Sequence, residues 1–405
     1  MRTLTLLLAA MAALALGGAG RAAPTGLRAG VAVVKITPDI TQKTFIAGYD
    51  NNRVADSVHD DLYARALVLD DGKTRMAVVS CDLIGLSNWR IRRIREHVHD
   101  VPKENVTIAC THVHSGPDTL GLWGETGFKS GLDPAYMTRL ETDVAGAVDQ
   151  AAGKLQPVKL AVGTIQVPDG FVYNSREPIQ DKILTALRFT DGGGKTVATV
   201  INYGGHPEVN KTRAITSDFV QPVRDAVEKR FGGTCLYLQG ALGGMVTAQI
   251  KAHTWEEMQR VGEGVGRAAV EAVEHAKPEP DPQITIRRKT VLLPLDNLRF
   301  KIAVGAKILD SEAQDGNFPT EVWRVDLGRV TWISIPGEIL PRPALALKAL
   351  MPGPYPMIVA LGNDELGYIL DPDDFDKKLY SYERTMSVGK NTWPALFDAA
   401  KELLK

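Results

Sequence analysis

Short apolar runs alternate with longer amphipathic segments along the chain, a pattern typical of α/β proteins. The apolar runs predict strands over residues 75–81, 106–110, 197–202, 235–238, 330–335 and 357–361. The amphipathic segments predict helices over residues 88–97, 134–155, 219–231 and 255–276. Strands that are apolar along their whole length are expected where helices cover both faces of a sheet. We therefore predict an α/β fold with a central, mostly buried sheet and helices on both of its faces.

The N-terminal residues have the order of a secretory signal peptide. Met1 and Arg2 are followed by an apolar stretch over residues 4–16 and by small residues up to Ala23. The apolar stretch is shorter than the roughly 20 residues that a membrane-spanning helix needs. We predict a signal peptide over residues 1–22, an exported (periplasmic or secreted) protein, and no integral membrane segment after signal removal.

The composition is that of an ordinary globular protein, with 44% hydrophobic and 23% charged residues in a chain of 405. The 47 basic and 48 acidic residues give a formal net charge of -1, which argues against nucleic acid as a partner. Cys81, Cys110 and Cys235 lie in apolar runs, where cysteine is usually a small buried hydrophobe rather than a catalytic thiol. No internal repeat is evident, and we interpret the proline-rich segment 277–282 as a seam within one domain.

Metal-ligating residue types follow several of the predicted strands. His112 and His114 follow the strand over residues 106–110, His206 lies in the turn after residues 197–202, and Glu338 follows residues 330–335. Open α/β sheets bind ligands beyond the carboxyl ends of their strands. We therefore predict a metal site at the C-terminal strand ends.

The spacing of His112 and His114 supports this prediction. In an extended segment, side chains two residues apart point the same way, so both imidazoles can face one site. His97 and His99 have the same spacing but end a basic helical pattern, where side chains two residues apart diverge by about 200°. We expect this second pair to be solvated.

Neutral imidazoles with one carboxylate suit Zn²⁺, which lowers the pKa of a bound water to about 7 and so removes the need for a protein nucleophile. The G-x-S-x-G turn of serine hydrolases is absent, and the turn over residues 239–244 (QGALGG) contains no serine. Two alternatives stay open. One is a two-metal phosphoesterase that uses Asp82, His112, His114 and His206, and the other is a non-catalytic exported protein that binds zinc or lipid.

Several segments resemble the neutral (non-lysosomal) ceramidases, specifically their N-terminal catalytic domain. The most specific is THVHSGP over residues 111–117, accompanied by AGV at 29–31, ITP at 36–38, LYARA at 62–66 and the segment around Tyr368. The resemblance implies a ceramidase-like catalytic domain over residues 27–405, without the C-terminal immunoglobulin-like domain of full-length ceramidases. It also implies zinc-dependent hydrolysis of a small amide substrate, N-acylsphingosine or a related N-acyl amide.

The resemblance implies site residues as well. The family's zinc is held by two histidines, a glutamate and a tyrosine, which by motif correspond to His112, His206, Glu338 and Tyr368. Pattern alone does not distinguish Tyr368 from Tyr382. The resemblance further implies that His114 and Arg176 act in catalysis, by stabilising charge or relaying protons as zinc-bound water attacks the amide carbonyl.

Four more residues are assigned from their positions alone. Asp82 and Asp364 either orient the ligand imidazoles or cap helices and turns. Trp123 and Phe128 follow the histidine motif and either line an acyl-chain pocket or take part in ordinary packing.

Overall fold

The structure is a computed structural model that describes residues 26–313 and 316–405, so the predicted signal peptide lies outside the described residues. The strands are β1 (Arg28–Lys35), β2 (Ser57–Val58), β3 (Tyr63–Asp70), β4 (Arg75–Cys81), β5 (Val106–Cys110), β6 (Gln156–Pro157), β7 (Lys159–Gln166), β8 (Val172–Asn174), β9 (Ile183–Thr190), β10 (Thr196–Tyr203), β11 (Ala214–Ile215), β12 (Thr234–Gln239), β13 (Val246–Ala248), β14 (Lys277–Glu279), β15 (Ile284–Pro294), β16 (Asn317–Leu327), β17 (Val330–Ile335), β18 (Glu338–Ile339), β19 (Tyr355–Ala360) and β20 (Tyr368–Ile369).

The helices are α1 (Asn88–Glu96), α2 (Pro134–Ala152), α3 (Val220–Phe231), α4 (Trp255–Glu274), α5 (Leu298–Gly305), α6 (Pro341–Lys348), α7 (Pro372–Phe375), α8 (Ser381–Thr385) and α9 (Thr392–Leu404), with short 3-10 turns at Lys103–Asn105 and Lys378–Tyr380. Within the described ranges, no helix has the length and apolar character needed to cross a membrane.

Three of the sheets share one topology. Each contains two antiparallel pairings followed by a parallel one, in the orders β1-β3-β4-β5, β7-β9-β10-β12 and β15-β16-β17-β19. The two parallel strands of each sheet are joined by a crossover that contains α1, α3 or α6. No repeat was evident in the sequence, yet the topology repeats three times.

The inner faces of these three sheets pack on one another. A single cluster of buried side chains includes Leu69 and Val78 from the first sheet, Val200 from the second, and Val325 and Trp332 from the third. The outer faces are covered by helices: α2 lies on β1 and β3, α4 on β7 and β9, and α9 on β15 and β16. The α/β class is therefore confirmed, but the strands are apolar on both faces because one face meets helices and the other meets neighbouring sheets.

The proline-rich segment that we interpreted as a seam forms part of this architecture. Residues Lys277–Glu279 are the edge strand β14, which pairs antiparallel with β7. The larger core cluster contains buried side chains from both sides of the segment, for example Val265 and Ile333. The three cysteines are fully or almost fully buried in the core, as their apolar surroundings predicted.

The topology brings the ends of the parallel strands of different sheets together. The Cys110 amide at the end of β5 donates to the Leu361 carbonyl after β19 at 3.4 Å. The Asn202 side chain in β10 donates to the Leu238 carbonyl of β12 at 3.1 Å and to the Ile358 carbonyl of β19 at 2.8 Å. Loops that are far apart in the sequence are thereby gathered at one place.

Candidate metal centre

His112 is the first predicted ligand at this meeting point. Its backbone is left-handed, with φ of 65°. This conformation costs energy for any residue other than glycine, so it persists only where surrounding contacts enforce it. Its amide donates to the Leu83 carbonyl at 2.9 Å, and its Nδ1 donates to the Ile84 carbonyl at 2.6 Å. Because a carbonyl only accepts, Nδ1 carries the proton of this contact, and Nε2 is the ring nitrogen directed at the site. That Nε2 lies 3.5 Å from Glu338 Oε2.

His206 is held in the same manner from the second sheet. It is fully buried, and its Nδ1 donates to the Val246 carbonyl at 2.8 Å. Its Nε2 lies 2.9 Å from the same oxygen, Glu338 Oε2. Burial lowers the pKa of His206, but the Glu338 hydrogen bond and the charges of Glu208 and Glu338 outweigh it and raise the pKa to about 9. Two imidazoles from separate sheets thus converge on one carboxylate oxygen.

His114 completes a cluster of three imidazoles. The ligand atoms of His112, His114 and His206 all lie within 4.8 Å of one another. Both ring nitrogens of His114 are buried without a hydrogen-bond partner among the described residues, and its Nδ1 is 3.8 Å from Glu208 Oε2. Burial and the two neighbouring imidazoles lower the pKa of His114 well below its ordinary value, so the ring is neutral.

Close packing fixes the His114 ring. Gly48 lies against it with φ of 103°, and a Cβ atom built on this glycine would approach His114 Cγ to 2.5 Å. Only glycine therefore satisfies both the backbone conformation and the contact. Buried nitrogens without partners beside two further imidazoles and a carboxylate fit a site built for a cation.

Glu338 and Tyr368 lie side by side in the short parallel pair β18–β20. Burial raises the pKa of Glu338, but the His112 and His206 imidazoles outweigh it, so the carboxylate is ionised. Burial and the Glu338 charge raise the pKa of the Tyr368 phenol well above its ordinary value. The preceding Gly337 has φ of 153°, and a Cβ there would lie 2.6 Å from the Gly367 carbonyl oxygen. This glycine allows the two loops to approach closely enough to pair.

The five residues predicted around the ion therefore lie together, although in different relationships. His112, His206 and Glu338 share one focus, and His114 adjoins it. Tyr368 is the register partner of Glu338 and lines the same pocket as His112 and His114. Two imidazoles, a carboxylate and a phenol together offer the hard and borderline donors that Zn²⁺ accepts.

Arg176 contacts a segment next to this cluster. Its Nε donates to Glu383 Oε1 at 2.8 Å, and the Glu383 side chain is fully buried. Glu383 follows Tyr382, which lines the pocket. Within the described part of the chain, Arg176 lies outside the pocket lining, so in this structure it supports the Tyr382 segment through an ion pair.

The suggested orienting role of Asp82 is wrong in this structure. Both Asp82 oxygens bind Arg224, at 2.8 and 3.0 Å, and both side chains are fully buried. Asp82 Oδ2 also accepts from the Tyr63 amide at 3.0 Å. The imidazoles of His112 and His206 are oriented instead by backbone carbonyls.

Asp364 also acts as a cap rather than as an imidazole partner. Its Oδ1 accepts from the Asn88 amide at the first residue of α1, at 2.8 Å, and from the Glu365 amide at 2.9 Å. Burial raises the pKa of Asp364 to about 7, against hydrogen bonds that lower it. This matches the capping alternative for the residue.

The raised pKa of Asp364 predicts a pH-dependent stability. The folded protein binds the Asp364 proton more tightly than the unfolded chain, whose aspartate has the ordinary value of 3.8. The free energy of unfolding contributed by this group should therefore decrease as the pH rises from about 4 to about 7. Asp364→Asn, which keeps an oxygen for the cap, is expected to flatten this decrease. Urea unfolding of both metal-free proteins at pH 5 and pH 8 measures the decrease. An equal decrease in the free energy of unfolding in the two proteins would contradict the prediction.

Two further residues line the pocket: Tyr382, which sequence reasoning named only as an alternative to Tyr368, and Glu365, which it missed. Tyr382 stands edge-on to Tyr368, with ring centroids 5.9 Å apart, and burial and nearby carboxylates raise its pKa to about 12. Glu365 also lines the pocket, and burial together with the Glu338 charge raises its pKa well above the ordinary value. No local pattern distinguishes either residue, since each reaches the pocket only through the packing of the segment over residues 361–386.

The pocket beside the imidazoles is mostly apolar. Its empty space, including the open mouth, is about 520 Å³. Its apolar lining comprises Ile84, Leu120, Leu122, Trp123, Phe300, Leu309 and Met386. Trp123 is thus a lining residue, whereas Phe128 is 84% exposed and lies outside the lining, so the pocket role suggested for Phe128 is wrong in this structure.

Comparisons with known proteins agree with this architecture. Solved structures of neutral ceramidase from Pseudomonas aeruginosa and of a ceramidase complexed with C2 superpose with TM-scores of 0.78 and 0.79. Each match has 14% identity and covers 94% of this chain and 75% of the other, so it shows a shared fold.

Similarity in sequence leads to the same family. Neutral ceramidase of Drosophila pseudoobscura pseudoobscura is 27% identical over 250 residues, which are 55% of this chain and 35% of the relative. That of Drosophila melanogaster is 27% identical over 230 residues, or 50% and 32%. The matches thus span about a third of these curated relatives. The model of the N-terminal part of the neutral/alkaline non-lysosomal ceramidases matches residues 27–230, just over half of the chain. The chain therefore belongs to the neutral/alkaline non-lysosomal ceramidase family.

Proposed function

We propose that this chain is a zinc-dependent hydrolase of linear amides, with N-acylsphingosine or a related N-acyl amide as its substrate. One observation carries the proposal: the Nε2 atoms of His112 and His206 face a single Glu338 oxygen, at 3.5 and 2.9 Å, beside a largely apolar pocket. The names of the relatives, neutral ceramidases, supply the substrate class. One solved relative is described as a ceramidase complexed with C2.

His112, His206, Glu338 and Tyr368 are the proposed zinc ligands. When bound, zinc supplies a Lewis acid and lowers the pKa of a coordinated water to about 7. The two carbonyl partners, Ile84 and Val246, accept the Nδ1 protons and so keep both Nε2 atoms directed at the site. This arrangement positions both imidazoles before a metal binds.

The surrounding residues have complementary roles in this proposal. His114, neutral and without a hydrogen-bond partner in the described part of the chain, can accept a proton and pass it to the leaving amine. The Tyr382 phenol lines the pocket and can donate to a developing oxyanion. Arg176 holds the segment that carries Tyr382 in place through its ion pair with Glu383. The apolar lining excludes water from the acyl chain.

His114→Ala is expected to lower kcat by about a hundredfold, the lower range for a lost proton-transfer group, while zinc stays bound. The control is His253→Ala, which removes an imidazole bonded to the Val209 carbonyl at 2.8 Å. Metal content by elemental analysis and steady-state kinetics are measured on both variants. Loss of zinc from His114→Ala would mean that His114 is a ligand instead of a proton carrier.

The contacts of Asp82 argue against a two-metal phosphoesterase. That alternative needs Asp82 as a ligand, but its carboxylate is occupied by the buried Arg224 guanidinium. A second ion would have to break this pair.

The function is tested by elemental analysis of the purified protein and by a screen of N-acylsphingosines, N-acyl amino acids and short amides. We expect one zinc per chain and release of the free amine. One bound zinc without amine release from any amide would favour the non-catalytic alternative, and two ions with phosphoesterase activity would favour the other. Export through a signal peptide over residues 1–22 belongs to the proposal, and N-terminal sequencing of the secreted protein tests it.

A further inference from the structure

A second cavity, here called the side chamber, adjoins the candidate site. It shares Leu120, Phe300, Leu309 and Glu365 with the pocket beside the imidazoles. Beyond these residues its lining changes to polar groups, including Ser87, Asn88, Trp89 and Ser311. Its empty space, including the open mouth, is about 410 Å³, compared with about 520 Å³ for the pocket beside the imidazoles, so the two cavities differ mainly in the polarity of their linings.

Three buried polar atoms in the lining of the side chamber have no hydrogen-bond partner in the described ranges. They are Trp89 Nε1, Ser311 Oγ and Glu365 Oε2. Buried polar groups in folded proteins are almost always paired, and each exception calls for a water, an ion or a ligand. Three such atoms around one cavity indicate that something polar belongs there.

The ion pairs around the side chamber indicate the charge of that group. Arg92 already binds Glu312 at 2.8 Å, and Asp310 binds Arg90 at 2.8 Å. Glu365 Oε1 accepts from the Gly367 amide at 2.9 Å, which leaves only Oε2 free. A charged ligand would therefore compete with existing pairs, whereas an uncharged one would not. The Trp89 indole N–H donates a hydrogen bond, and the Ser311 hydroxyl both donates and accepts. A ligand hydroxyl also donates and accepts, so it can pair with either group.

We propose that the side chamber binds a hydroxyl group carried by the amide substrate, through Trp89 Nε1, Ser311 Oγ and Glu365 Oε2. The proposal rests on the proposed function, because the hydroxyl belongs to the molecule whose amide is cleaved. It adds a requirement that the apolar pocket alone does not impose: a hydrogen-bonding end at a defined distance from the amide.

Matched substrates test this requirement. Two series of N-acyl amines are compared, one varied on the amine part and the other on the acyl part. In each series, two to six carbons separate the amide from the chain end. Each chain ends either in a hydroxyl or in a methyl of equal size. At one chain length the hydroxyl member is expected to have a kcat/KM roughly five- to thirtyfold higher, as one or two net hydrogen bonds provide. Equal rates at every length, or a preference for a terminal carboxylate or ammonium, would overturn the proposal.

Variants assign the preference to the side chamber. Ser311→Ala and Trp89→Phe are each expected to reduce the hydroxyl preference severalfold and to leave kcat/KM for the methyl member unchanged. Trp255→Phe is the matched control, because Trp255 stacks on His59 with ring centroids 3.9 Å apart and lines a different cavity. An equal loss for both substrates in Ser311→Ala and Trp89→Phe would indicate a general structural effect and would overturn the assignment.

Binding is measured separately from turnover. In ketone isosteres, a methylene replaces the amide N–H, so the compounds cannot be hydrolysed as amides. The hydroxyl-terminated ketone is expected to shift the Trp89 indole N–H resonance, which is identified by its loss in Trp89→Phe, and the methyl-terminated ketone to leave it in place. A shift without turnover of any amide would contradict the proposed function alone. No shift from either ketone would overturn the hydroxyl site and leave a bound water as the occupant.

Discussion

Replacing His112 with alanine is expected to remove the bound zinc and to lower kcat/KM for amide hydrolysis by at least roughly a thousandfold. The substitution removes the Nε2 atom that faces Glu338 Oε2. No second imidazole bonds the Ile84 carbonyl in the described part of the chain, so none is positioned to replace it. The remaining proposed ligands keep only one imidazole, so the site holds the ion less tightly. Elemental analysis and kinetics on the purified variant measure both effects.

The control for this experiment is a second histidine pair with the same spacing. His99→Ala removes a side chain that is 80% exposed and bonded to Asp149, and the exposed fraction of the neighbouring His97 side chain is 46%. Zinc content and activity should be unchanged there. The thermal unfolding midpoint of His112→Ala, measured in chelator against chelated wild type, shows whether the variant is folded, so that loss of metal can be separated from loss of structure. Full activity in His112→Ala without metal would defeat the mechanism.

Asp82→Asn is expected to lower the free energy of unfolding by about 3–5 kcal/mol, the cost of leaving a buried charge unpaired. Asp82 and Arg224 are both fully buried, and the pair joins the loop after β4 to helix α3. The remaining partners of the Arg224 guanidinium, Ser217 Oγ at 3.1 Å and Gln221 Oε1 at 2.8 Å, are uncharged and cannot replace the carboxylate. Urea unfolding followed by circular dichroism measures the loss.

Two further variants make this result interpretable. Asp56→Asn breaks an exposed pair with Arg213, at 3.5 Å, and should change stability little. The double variant Asp82→Leu with Arg224→Met removes both charges and should recover much of the loss, because no unpaired ion remains in the core. If Asp82→Asn unfolds at the same urea concentration as Asp56→Asn, the pair does not have the stabilising role assigned to it.

The sequence predicted the strands that carry the site better than the sheets that contain them. The strands over residues 75–81, 106–110 and 330–335 agree with β4, β5 and β17. Each is a short, mostly apolar run that is buried on both faces. The strand β16, which alternates buried and part-exposed positions, was missed, and so was β3, although it is buried along nearly its whole length. The threefold repeat was invisible because the sheets repeat hydrogen-bond topology without repeating side chains.

The sequence likewise predicted the residues of the site better than their hydrogen-bond partners. His112, His206 and Glu338 could be placed from sequence because each follows a strand whose end is central in the fold. The partners of the imidazoles could not, since the carbonyls of Ile84 and Val246 have no side-chain signature. The sequence left two roles open for Asp82 and did not indicate its partner Arg224, because that residue lies 142 residues away.

The origin of the site in three sheets also affects how the molecule folds. His112 follows β5 of the first sheet, His206 follows β10 of the second, and Glu338 lies in the β18–β20 pair just after β17 of the third, so no fragment with a single sheet contains all three of these donors. Such non-local contacts form slowly, and the cation can be captured only after the three sheets have docked. An ion that binds only the native state raises the free energy of unfolding of the whole protein. Removing the ion with a chelator should therefore favour global unfolding and not only local opening of one loop.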